Sequence, residues 1–297
     1  MIIMFEKVLV PTDFSKYAQK VVECIGELPG VKEIVLLHVV DATHPSKVGW
    51  TRGPEVEDAK IDLGDVKERL EKLGFKVTTR LEVITEADVS RTIQRVADEE
   101  NVSLIVMGAR GKGRISGVLL GSASTGVVRF SDKDTLIMRY KMLEGLEGTT
   151  YEKFCPMIFS KVLCTTDFSE ASMSSLSTIK DLKDAIGELI LEYVVSNGET
   201  QDEIEGYVAE AREHLEAIKE ELASSLASSG LKVRTHVDVG SPREQIKSLA
   251  IREDVSLIVM SSHGKGWLKQ LMVGSTTFDV VRTAERPVLI VRSKNEG

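Results

Sequence analysis

Gly108, Gly111, Gly121 and Ser122 fall in one stretch, GARGKGRISGVLLGSAS (108–124), directly after the apolar run VSLIVM (102–107). Glycine has no Cβ, so a backbone rich in it can approach a ligand closely with its N–H groups outward. Ser122 opens a helical pattern, and the N-terminal end of a helix favours anions. Arg110, Lys112 and Arg114 add positive charge to the same stretch. The chemistry that suits these residues is the holding of phosphate oxygens. The spacing is not the GxxxxGK[ST] loop, nor is it a GxGxxG turn after a first strand. A second short motif, VPTDFS (10–15), places a carboxylate, Asp13, just after an apolar run. A carboxylate there can accept from hydroxyl or amino groups, or it can cap the helix that follows.

The elements that position these residues occur twice. VLVPTDFS (8–15) returns as VLCTTDFS (162–169), and VSLIVM (102–107) returns unchanged at 255–260. GKGRISGVLLGSAS (111–124) matches GKGWLKQLMVGSTT (264–277), and TLIMR (135–139) matches the end of PVLIVR (287–292). Similarity that keeps its register over such a separation marks two copies of one domain, 1–145 and 156–297. The segment KMLEGLEGTTYEKFCP (141–156) is the expected linker. Each copy alternates short apolar runs with helical patterns, such as Val89, Ile93, Val96 and Ala97 on one face. Alternating β and α gives α/β domains of doubly wound, Rossmann-like type. Each is a mostly parallel five-stranded sheet flanked by helices. VSLIVM is apolar enough to be covered on both faces. Ligands in such sheets sit beyond the carboxyl ends of the strands, where the strand order reverses. VPTDFS and the glycine stretch should converge there.

Composition narrows the class. The chain has 297 residues with a net charge of −8, which excludes a broad nucleic-acid surface. No apolar run approaches the roughly 20 residues of a membrane span. Three cysteines without metal spacing, Cys24, Cys155 and Cys164, fit a cytoplasmic protein; Cys24 and Cys164 read as inert packing residues. His38 lies in an apolar run, matched by Tyr193, and reads as a core or edge residue. The acidic helices at 55–71 and 202–221 read as solvated faces.

The spacing Gly108-x2-Gly111-x9-Gly121-Ser122, the strand ending in VPTDFS, the strand LLHVVD and the terminal strand PVLIVR together resemble the universal stress protein family, in a tandem form. The resemblance covers nearly the whole chain, twice. It implies a site for ATP, or for AMP or ADP, with Mg²⁺ accompanying the phosphates. In nucleotide-binding members the Asp after the first strand contacts the nucleoside, and nearby backbone and strand two recognise adenine. Here those positions are Pro11, Thr12, Asp13 and Val39. Ribose and phosphates fall to Met107, Gly108, Gly111, Gly121, Ser122, Ala123 and Ser124. In the second copy the matching residues are Thr165, Asp167, Val194, Gly264, Gly274, Ser275, Thr276 and Thr277. The second copy departs from the pattern at Ser261, which stands in place of Gly108 and puts a side chain where backbone should approach the nucleotide. The first 148 residues carry a net charge of −2 and the remainder −6, so the first domain is expected to bind ATP more tightly.

Three functions follow. The first is an ATP-binding regulatory protein of the stress response, in which nucleotide changes a surface seen by an unknown protein partner. The second is a slow ATP-hydrolysing enzyme, for which no Ser-His-Asp arrangement or cationic clamp is visible. The third is a ligand-free interaction module, favoured for the second half by Ser261. The family's dimerisation through the last strand implies that TLIMR and PVLIVR pair within one chain as a pseudo-dimer, with a further homodimer open.

Overall fold

The computed structural model describes residues 5–44, 52–86, 88–110, 120–139, 141–145, 148–152, 157–225, 230–264 and 273–292. The chain divides into two compact units, Met1–Met138 and Arg139–Gly297.

Unit 1 begins with β1 (Lys7–Pro11), α1 (Lys16–Cys24) and a short 3-10 turn, then β2 (Glu33–Asp41) and α2 (Gly53–Lys72). It continues with β3 (Lys76–Ile84), α3 (Val89–Glu99), β4 (Leu104–Gly108), α4 (Ser122–Phe130) and β5 (Asp134–Met138). All five strands are parallel, in the order β5-β4-β1-β2-β3. Order therefore reverses at β1, whose neighbours β4 and β2 lead to opposite edges, and this opens a crevice at the carboxyl ends. Leu104 to Met107 are all buried, as a strand covered by helices on both faces requires. α3 presents Ile93, Val96 and Ala97 to the sheet, and its N-cap Asp88 accepts from Ser90 N at 2.6 Å.

Unit 2 opens with β6 (Lys141–Gly145) and β7 (Gly148–Glu152), an antiparallel hairpin in the segment read from sequence as a linker. Then follow β8 (Lys161–Thr165), α5 (Glu170–Asp181), β9 (Glu188–Val195), α6 (Gln201–Ser225) and β10 (Lys232–Val239). α7 (Pro242–Arg252), β11 (Leu257–Ser261), α8 (Ser275–Thr283) and β12 (Val288–Val291) complete it. The parallel order β12-β11-β8-β9-β10 repeats that of unit 1.

One expectation needs correction. The two acidic helices are not only solvated faces, because α2 buries Ala59, Leu63, Val66 and Leu70 and α6 buries Ala211, Leu215 and Leu222. Cys24 is buried on α1, and Cys155 lies outside the described residues. Cys164 is a buried free thiol, pushed up to about 12 by desolvation, which makes it inert. Among the described residues no helix is long and apolar enough to cross a membrane.

Candidate functional site

In unit 1 the turn after β1 is fixed by its own polar side chains. Thr12 N donates to the Leu37 carbonyl at 2.8 Å, anchoring the turn to β2. Thr12 Oγ1 accepts from Phe14 N at 3.1 Å, and Asp13 Oδ1 accepts from Ser15 N at 3.0 Å. Ser15, not Asp13, is the N-cap of α1, accepting from Ala18 N at 3.2 Å. Asp13 braces the turn with one oxygen. Phe14 sits at φ 56°, a left-handed conformation that is strained for a bulky side chain. Its ring stacks on His38 with centroids 4.5 Å apart, and His38 Nδ1 donates to the Thr12 carbonyl at 2.7 Å. His38 is therefore part of the turn's support as well as a strand residue.

The other wall is built at the end of β4. Ala109 N donates to the Met138 carbonyl at 3.0 Å, and Gly121 N donates to the Ala109 carbonyl at 2.8 Å. These bonds hold the start of α4 against the end of β4. Ser124 Oγ donates to the Gly108 carbonyl at 2.9 Å from the first turn of α4. α4 has Gly121 as N-cap and no side-chain cap. Its first N–H groups are thus left to another acceptor. Gly121 has φ −70°, which any residue adopts, and a Cβ there would meet the protein only at ordinary contact distances, the nearest being 3.7 Å. Among the described residues nothing requires glycine at 121. What glycine does is keep the space before the helix N-terminus open.

Between the two walls lies a cavity of about 520 Å³. Pro11, Thr12, Asp13, Val39, Met107, Gly108, Gly121, Ser122, Ala123 and Ser124 all line it. Gly111, Lys112 and Arg114 lie outside the described residues. Arg110, read from sequence as a positive charge of the same stretch, is also in the lining, whereas sequence reasoning did not place Ala18, Leu37, His38, Val89 and Ile93 there. Val89 and Ile93 were legible as an apolar helical face, yet nothing in that pattern separates a core face from a cavity wall. The cavity joins an apolar side, suited to a flat ring, to a carboxylate and an uncapped helix terminus beside Arg110.

Unit 2 rebuilds the same frame. Thr166 N donates to the Glu192 carbonyl at 2.9 Å, and Phe168 N to Thr166 Oγ1 at 3.0 Å. Asp167 Oδ1 accepts from Ser169 N at 3.1 Å, Ser169 again being the helix cap, and Phe168 again has a left-handed φ of 58°. Gly274 N donates to the Ser262 carbonyl at 2.7 Å, and Thr277 Oγ1 to the Ser261 carbonyl at 2.9 Å. Thr165 closes β8, Val194 is half-buried on β9, and Ser275 and Thr276 open an α8 that also lacks a side-chain cap.

Three features of unit 2 stand out. The Ser261 hydroxyl donates to the His263 carbonyl, and Ser262 Oγ contacts His263 Nδ1 at 2.8 Å. The Ser261 hydroxyl is thus engaged inside its own turn. Gly264 lies against Asp167: a Cβ there would be 2.3 Å from Asp167 Oδ2. Finally, buried Glu192 stands where unit 1 has Leu37. Among the described residues no cluster of three His, Cys, Asp or Glu is arranged to hold a metal.

Comparison with known proteins agrees with the duplication. The sequence profile of the Universal stress protein family matches residues 4–139 and again 159–292. Universal stress protein MJ0577 of Methanocaldococcus jannaschii is 30% identical over 163 residues, covering 48% of this chain and 99% of that protein. A universal stress protein of Mycolicibacterium smegmatis is 24% identical over 290 residues, covering 88% of this chain and 87% of its own. The crystal structure of a universal stress protein from Archaeoglobus fulgidus superposes with a TM-score of 0.71 at 26% identity, covering 98% of this chain and 97% of that one.

Proposed function

We propose that this chain, which belongs to the universal stress protein family, is a nucleotide-holding regulatory protein whose unit 1 takes ATP in the cavity between β1, β4 and α4. The observation that carries the reading is Gly121. It is a glycine that nothing among the described residues requires, at an uncapped helix N-terminus, inside a cavity of about 520 Å³. Phosphate oxygens would accept from the N–H groups at the start of α4, with Arg110 adding charge. The nucleoside would lie toward Thr12, Asp13 and Val39, its base against the apolar side, with hydroxyl or amino groups donating to Asp13. Mg²⁺ would arrive with the triphosphate. Unit 2 keeps the frame but buries a carboxyl group, Glu192, where unit 1 lines its cavity with Leu37, which favours weaker binding there.

Calorimetric titration of the full chain with ATP and Mg²⁺, repeated with ADP and AMP, tests this. Gly121→Val should keep the fold and lose the tighter site. Gly274→Val should lose only a weaker one. Absence of binding by folded, nucleotide-free protein would overturn the reading. Greater loss in Gly274→Val than in Gly121→Val would reverse the ranking of the units.

A further inference from the structure

Unit 2 contains a second cavity, of about 480 Å³, on the α6 side of β9. Its lining includes Phe168, Tyr193, Tyr207, Glu210 and His214. Tyr207, Glu210 and His214 are spaced i, i+3 and i+7 along α6, which puts them on one helical face. The Phe168 ring, held by its left-handed backbone, stacks on Tyr193 with centroids 4.5 Å apart and planes 11° apart. It meets His214 edge to face at 5.0 Å. Tyr207 is half-exposed, so one aromatic ring is open at the mouth. Glu210 is the only Asp, Glu, Lys or Arg among the described lining residues. Burial pushes the Tyr193 phenol above its ordinary value, and the Asp167 and Glu210 carboxylates push it the same way. The local field is therefore negative.

Unit 1 supplies a contrast. Its cavity beneath Phe14 takes Asp62, Asp65, Glu68 and Arg69 from α2, and no aromatic ring from that helix. Of these two cavities, the one in unit 2 combines several rings with one carboxylate among its described lining residues. Aromatic residues are 5% of the chain, so their concentration in one cavity is not a consequence of composition.

Aromatic faces attract cations through the ring quadrupole, most strongly where the cation is weakly hydrated. We propose that this cavity is a binding site for a small organic cation with a quaternary or protonated ammonium group, held against the open Tyr207 ring at its mouth with its charge offset by Glu210. The site is separate from the nucleotide cavity and does not depend on that assignment.

The test is titration of the full chain with choline and with 3,3-dimethylbutan-1-ol, its neutral isostere, followed by calorimetry and ligand NMR. Choline should bind saturably, and the alcohol roughly tenfold more weakly or not at all. Tyr207→Ala should weaken choline binding by about tenfold, Tyr207→Phe should retain it, and Glu210→Gln should weaken it several-fold. Tyr207 and Glu210 are exposed, so these variants should fold. Equal binding of the alcohol, indifference to Tyr207→Ala, or no choline binding would each overturn the proposal.

Discussion

Glu192 occupies in unit 2 the strand position that Leu37 occupies in unit 1. Thr166 donates to the Glu192 carbonyl at 2.9 Å as Thr12 donates to the Leu37 carbonyl at 2.8 Å. Leu37 lines the unit 1 cavity, whereas Glu192 brings a carboxyl group with 0% exposure to the matching wall. Neither of its oxygens has a hydrogen-bond partner among the described residues. His236 faces it across β10, and His236 Nε2 lies 3.0 Å from both Asp238 Oδ2 and the Arg252 guanidinium.

This burial predicts a pH dependence of stability. Desolvation pushes the Glu192 carboxyl up to about 8, Asp238 adds to the rise, and Arg252 opposes it. In the unfolded chain the group titrates near its ordinary 4.5. Between those values the folded state keeps a proton that the unfolded state releases. The contribution is full below the unfolded value and is lost as pH rises through the folded one, at about 1.4 kcal/mol per pH unit. Glu192→Gln, which stays neutral, should remove that slope and exceed the parent in Tm at pH above 8. Identical pH profiles of Tm for the two proteins would refute this.

Gly108 and Ser261 make a second prediction. A Cβ at Gly108 would lie 3.1 Å from the Arg110 carbonyl, a tight approach. Unit 2 shows how serine fits, because the Ser261 hydroxyl donates to the equivalent His263 carbonyl. Gly108→Ser should therefore fold and hold nucleotide with little loss. Gly108→Ala keeps the crowding without the hydrogen bond and should be less stable than Gly108→Ser by about 1 kcal/mol. Tm and calorimetric Kd for both variants check the order; alanine tolerated as well as serine would contradict it.

Much of this was readable from residue order. The repeats, the buried run Leu104 to Met107 and the Gly-Ser start of α4 all follow from periodicity and turn chemistry, because each pattern has one physical outcome. Other features have no local signal. Phe14 and Phe168 adopt left-handed backbones that their residue type disfavours, and the stacks on His38 and Tyr193 and the bonds to Thr12 and Thr166 that offset the strain are tertiary or turn contacts. Glu192 in ELILEYVV reads as the polar member of an alternating strand, since burial on that face depends on α7. Tyr207 and His214 lie in a helix dominated by charge, where the cavity beside β9 is set by tertiary packing.

The packing of α3 on α4 gives the last prediction, at a glycine whose spacing suggested nothing. Gly126 lies mid-helix in α4, where glycine costs about 1 kcal/mol relative to alanine. A Cβ at Gly126 would fall 2.1 Å from Ser90 Oγ and 2.4 Å from Ser90 Cβ. The two helices thus approach too closely for any side chain there. In unit 2 the matching positions hold Asp279 and Arg243, joined by an ion pair of 2.9 Å, so that copy uses a polar contact instead. Gly126→Ala should lower the stability of unit 1 despite alanine's better helix propensity, by roughly 1–3 kcal/mol, as overpacking does. Ser90→Gly should relieve most of that loss in the double variant, because it removes both atoms that the new Cβ meets, whereas Ser90→Ala should not. Denaturant unfolding of the single and double variants measures the coupling. A neutral or stabilising Gly126→Ala would show that the helices can separate freely, and the close approach would then have no energetic consequence.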